Sequence, residues 1–100
     1  MEPIEIFKAL SNPTRLRILQ WLREPEQHFP PDDKGDQRVI GVCVGDITEK
    51  VQLSQSTVSE YLALLQRAGL VTSQRFGQWT YYKRNEALIA QLAHFVVDEL

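Results

Sequence analysis

Gln55, Ser56, Ser59, Ala63, Gln66 and Arg67 fall on one arc of a helix whose apolar residues, Val58, Leu62 and Leu65, form a separate stripe. A carboxamide such as that of Gln55 can bond the edge of an adenine through two atoms. The hydroxyls of Ser54, Ser56, Thr57 and Ser59 can reach base edges or phosphates, as can the Tyr61 hydroxyl on a ring that is partly packed. Glu60 is the one acid on this polar face. Arg75, Gln78, Lys83 and Arg84 follow within the next twenty residues or so, where a cation beside a bound helix meets phosphate or the minor groove. This is the chemistry of recognition. No nucleophile–base pair, glycine-rich phosphate loop or metal-ligand cluster accompanies it, so no enzyme, cofactor or metal centre is expected.

A polar arc also suits plain solvated surface, and the flanking elements decide between the two readings. Ile47 and Val51, four apart, predict a short helix before the polar one. Ser54 is placed as an N-cap and Gly69 as a C-terminal stop. Gln52 stands in the turn between the helices, where a left-handed or strained backbone is expected. After Gly69, Leu-Val-Thr-Ser-Gln-Arg and Trp-Thr-Tyr-Tyr are β-branched or aromatic runs joined by Phe76-Gly77-Gln78, a hairpin loop at whose tip Phe76 either packs back or touches sugar. Helix, turn, helix and hairpin make the winged-helix plan, which lays one helix in the DNA major groove. The fold class expected is therefore mainly α with a small β-hairpin wing (α+β).

The chain around it reads as one domain, residues 1–100. Pro3 opens a helix with Ile4, Phe7 and Leu10 on one side, and Asn12 and Pro13 cap and start a second carrying Leu16, Ile18, Leu19 and Leu22. Residues 25–38, PEQHFPPDDKGDQR, offer only Phe29 to bury and read as an exposed, mobile loop. Val39 to Val42 could form a short strand at the base of the wing. Glu86 to Leu100, capped by Asn85, is too apolar all round to be covered by one small core, so a second surface is required. The net charge of −2 argues against DNA until it is divided. Residues 54–84 carry four cations against Glu60 alone, a local +3, while the segments before and after are acidic. No apolar run spans a membrane, the N-terminus has no signal-peptide pattern, and a single cysteine fits a reducing cytoplasm. That cysteine, Cys43, reads as a small buried hydrophobe; Trp21, Trp79 and the tyrosines read as core packing, and His28 as exposed.

Three blocks in this order resemble the ArsR/SmtB family of small bacterial winged-helix repressors: Phe7-Lys8-Ala9-Leu10-Ser11-Asn12-Pro13-Thr14-Arg15-Leu16-Arg17-Ile18-Leu19, Leu53-Ser54-Gln55-Ser56-Thr57-Val58-Ser59-Glu60-Tyr61-Leu62, and Arg67-Ala68-Gly69-Leu70-Val71 with the wing Gly77-Gln78-Trp79-Thr80-Tyr81-Tyr82. The resemblance implies a homodimer built on the first and last helices, through Ile4, Phe7, Leu88, Leu92, Phe95 and Val96, that binds double-stranded DNA at an inverted repeat and represses transcription. The departures bear on sensing. Where many members carry a Cys-x-Cys pair, this chain has Cys43 followed by Gly45. Where others pair histidines and acids on the last helix, it has His94 and Asp98 without a second histidine. Glu60 stands where the family often has a basic residue. A repressor without the usual metal site is the leading expectation. A winged helix serving as a protein-interaction module, and a repressor sensing thiol oxidation or metal through Cys43, are the alternatives.

Overall fold

Proline and short polar side chains start the main helices of the computed structural model, which describes all 100 residues. Pro3 occupies the first turn of α1 (Pro3–Leu10). Asn12 accepts from the Arg15 amide at 3.0 Å and Pro13 opens α2 (Pro13–Arg23). Each device satisfies or removes an amide that the helix cannot pair for itself. Ile6 and Ala9 turn inward from α1, and Ile18, Leu19 and Leu22 from α2. Ile4 and Phe7 face outward, and of the α2 residues expected on one face Leu19 and Leu22 are buried beside Ile18 while Leu16 is 41% exposed.

The expected loop at 25–38 is a folded excursion. It contains a turn of helix, α3 (Pro25–His28), an extended stretch, and a second turn, α4 (Gln37–Ile40). Pro25, Phe29 and Gln37 are buried. Phe29 meets the edge of Trp21, the Gln37 amide donates to the Pro30 carbonyl at 2.8 Å, and the Tyr81 hydroxyl donates to Asp32 at 2.8 Å. Val39 and Ile40 close α4 and do not extend the sheet. After Gly41 only Val42–Cys43 form the strand β1.

α5 (Val44–Val51) and α6 (Gln55–Arg67) are the helix-turn-helix. Gln52, at φ 62°, is the only non-glycine residue with a left-handed backbone, and its amide closes α5 by donating to Thr48 at 3.0 Å. α6 ends in a double lock. The Gly69 amide reaches Gln66 and the Leu70 amide reaches Leu65, with Gly69 at φ 86° in the conformation that this stop requires. β2 (Val71–Phe76) and β3 (Trp79–Arg84) form the wing, and β1 pairs on the other side of β3 with Val42 opposite Tyr82. One face of the hairpin, through Val71 and Tyr82, joins the core. The other face lies under the excursion. Tyr81 is buried there, Gln74 donates to the Ile40 carbonyl and Lys83 to that of Val39.

α7 (Glu86–Glu99) closes the chain, with Asn85 accepting from the Leu88 amide at 3.2 Å. None of its residues is fully buried. Leu88, Ile89 and Leu92 pack partly against the core, while Val97 and Leu100 are each 79% exposed.

Candidate nucleic-acid interface

The two arcs of α6 separate cleanly. Val58, Leu62 and Leu65 are wholly buried, whereas Gln55, Ser56, Ser59, Glu60, Gln66 and Arg67 are exposed. Anchoring by three core side chains makes the helix a rigid rail, so the outward groups hold a fixed register. Ser54 caps the rail by accepting from the Thr57 amide at 3.2 Å, and its hydroxyl also meets those of Thr57 (2.8 Å) and Ser56 (3.2 Å). These three hydroxyls thus form one polar cluster at the helix start. Gln55, the first helical residue, stands beside it with no side-chain partner in the protein.

Tyr61 is half-buried, with the Arg15 guanidinium 5.3 Å from its ring centre. Arg15 also donates to the carbonyls of Ala9 (2.7 Å) and Lys8 (3.2 Å), so it ties the end of α1 to the recognition helix.

Arg67 and Lys83 are not brought to the start of the rail. Twelve residues of helix place Arg67 roughly 18 Å from Gln55 along the axis. Lys83 lies at the base of the wing, opposite Thr72, with its ammonium spent on the Val39 carbonyl at 2.9 Å. The wing tip is a two-residue turn, Gly77-Gln78, with Gly77 at φ 63°. Arg75 is exposed one rung below it, opposite Thr80. Phe76 packs back edge-on to Tyr81, with ring centres 5.1 Å apart, which settles its alternative away from sugar. Trp79, expected in the core, is 46% exposed at the tip. A tryptophan directly after a glycine turn was the available signal, and the strand alternation hid it.

Acids shape the surroundings. Asp46, in the first turn of α5, has its pKa raised by burial and by the nearby Asp32 and Glu49 carboxylates. Asp32 is held below its ordinary value, chiefly by the Lys34 amide and also by the Tyr81 hydroxyl, against a raising effect of burial. Burial followed by the Asp32 bond pushes the Tyr81 hydroxyl up, so it stays a donor. Cys43 is the residue that opens α5, half-buried and free. His94 and Asp98 sit 3.7 Å apart on the exposed side of α7.

A helix-turn-helix with an exposed polar recognition helix and a flanking hairpin defines a winged-helix DNA-binding protein. Comparison with known proteins gives its family. Residues 42–73 match the family model described as "Bacterial regulatory protein, arsR family". The HTH-type transcriptional regulator YbzH of Bacillus subtilis (strain 168) is 56% identical over 100% of both chains. The arsenical resistance operon repressor of Escherichia coli (strain K12) is 31% identical over 97% of this chain and 70% of its own. HlyU from Vibrio cholerae N16961 superposes with a TM-score of 0.63 at 28% identity, over 93% of this chain and 88% of the other. The chain belongs to the ArsR family; it is a DNA-binding transcriptional regulator and not an enzyme.

Proposed function

We propose that this regulator is a cytoplasmic repressor that binds an inverted-repeat operator as a homodimer and does not respond to metal. The observation that carries the reading is the division of α6, with one arc wholly buried and the opposite arc exposed and polar. Gln55, at the start of the rail, reads a base; Ser56 and Ser59 contact base edges or phosphate, and Ser54 and Thr57 hold the helix start. Arg75 and Gln78 at the wing tip meet phosphate or the minor groove. Arg67, Lys83, Glu60 and Tyr61 take secondary places, since Lys83 is engaged at the wing base and Tyr61 beneath Arg15.

The dimer reading is supported by apolar surface on the first and last helices. Ile4, Phe7, Val96, Val97 and Leu100 are exposed, and Phe95 meets Phe7 with ring centres 6.4 Å apart. Leu88 and Leu92, expected at the interface, are partly committed to their own core, so the outward strip carries the contact. Two-fold pairing would set the recognition helices at successive major grooves, roughly 34 Å apart. At that separation the two Cys43 thiols do not share an ion, and Gly45 has no donor to add. A tight thiophilic site needs several converging thiolates.

Selection of bound sequences from random duplex DNA tests the reading. An enriched inverted repeat with half-sites one helical turn apart is the expected result. A single unrepeated motif would overturn the dimeric mode, and no enrichment would overturn sequence-specific binding in favour of a protein-interaction module.

A further inference from the structure

At the base of the wing, away from its tip, the chain leaves an open cleft of about 670 Å³. It lies between the end of α2, α4, the last residues of β3 and the first of α7. Only one lining residue is hydrophobic, so the lining suits a polar occupant. Four cations line it (Arg23, Arg38, Lys83, whose ammonium also donates to the Val39 carbonyl, and Arg84) against two acids, Glu24 and Glu86. Arg84 is the fixed point. Its side chain is only 15% exposed, and it donates from Nε to one Glu86 oxygen at 3.0 Å and from Nη2 to the other at 2.9 Å. That fork is the geometry in which a guanidinium grips an oxyanion. Glu86, by contrast, is 71% exposed on a short reach, so it can swing into water at little cost. Arg23 makes no ion pair at all, and the carboxylate that Arg38 holds, Glu26, stands outside the lining. The chain thus supplies a half-buried, preorientated anion grip that is filled by its own detachable carboxylate, with a spare cation beside it.

We propose that this cleft binds a small multivalent oxyanion, of the phosphate-monoester or dicarboxylate class, which displaces Glu86 from Arg84 and acts as the regulator's effector. The effector role rests on the repressor reading above; the binding itself does not. The position suits such a role. Arg84 ends the wing and Glu86 begins α7, with Asn85 between them capping α7 and donating from its backbone to the Leu70 carbonyl at 2.9 Å. A ligand that frees Glu86 therefore acts on the joint between the DNA-contacting hairpin and the helix whose far end would pair with a second copy. Bound DNA is a different occupant. The cleft lies at the Val71–Arg84 rung and the tip at the Phe76–Trp79 rung, five residues or roughly 17 Å along the strand.

The test is an amide-resolved NMR titration of the intact protein with inorganic phosphate and, separately, succinate, each matched for ionic strength with sodium chloride. Saturable shifts at Arg23, Lys83, Arg84 and Glu86 are expected for one or both anions and not for chloride; which anion saturates identifies the class. Glu86→Gln removes the competing carboxylate and should tighten binding several-fold. Arg23→Gln, at an exposed helix end that the fold does not depend on, should weaken it about tenfold, the worth of one charge-assisted bond. Non-saturating shifts equal to those of chloride, or a Glu86→Gln variant no tighter than wild type, would overturn the site. Operator affinity measured with and without the saturating anion then tests the effector role. A change in wild type that Arg23→Gln abolishes supports it, and an unchanged affinity removes it while leaving the site. A protein that binds anion but no DNA would instead refute the repressor reading.

Discussion

Gly41 and Gly69 both have left-handed backbones, at φ 92° and 86°, yet alanine should be far costlier at one than at the other. Gly41 has ψ −169°, a combination open essentially to glycine alone. A Cβ there would lie 2.6 Å from the Tyr82 carbonyl oxygen and 2.8 Å from its carbon. Both atoms belong to the middle strand of the sheet, paired on both sides, so nothing nearby can yield. At Gly69 the Cβ would also meet an atom at 2.6 Å, but that atom is Cδ1 of Leu88, which can rotate away. The left-handed conformation alone costs about 1–2 kcal/mol for alanine. Gly69→Ala should therefore lose about that much. Gly41→Ala adds the rarer backbone region and a displaced strand, for a total of about 3 kcal/mol or more. For a domain of this size each kcal/mol lowers Tm by about 4–8 °C, so Gly41→Ala should melt at least about 4–8 °C below Gly69→Ala. Urea unfolding at one fixed protein concentration reads both variants on the same scale. If Gly41→Ala proves no more destabilising than Gly69→Ala, the claimed rigidity of the excursion–wing contact is wrong.

Phe95→Asp puts a charge into the apolar surface shared with Phe7 and should give monomers in sedimentation with weak operator binding; a dimer of full affinity would refute the interface. Arg75→Ala should weaken specific and random DNA alike and lower the salt slope by about 1 per wing, read from titrations at several salt concentrations. Arsenite, cadmium and zinc at micromolar levels should leave the operator complex intact, and Cys43→Ser should bind DNA nearly as wild type does. Metal-driven release that is lost in the serine variant would contradict this.

Local rules carried much of the fold. Asn12, Ser54 and Asn85 cap helices because a short acceptor next to an unpaired amide needs no distant partner. Gln52 takes its left-handed turn for a similarly local reason. The excursion was illegible because its order comes from pairings such as Asp32 with Tyr81, forty-nine residues apart, which leave no periodicity. A second such pairing involves Lys83, read from the sequence as a DNA contact. The excursion covers its face of the wing and gives its ammonium a carbonyl. In the first helix Ile4 and Phe7 are as apolar as Ile6, and only the packed neighbours show that Ile6 is the one turned inward.

Gln55→Ala tests base reading by α6 itself, because Gln55 stands exposed at the start of a helix whose other face is locked in the core. Fluorescence anisotropy on the selected operator, its single-base variants and random duplex would measure the loss. The expected loss is about 1–3 kcal/mol on the operator, with relaxed preference at one base pair per half-site and almost no change on random DNA. Equal losses on operator and random duplex would contradict it.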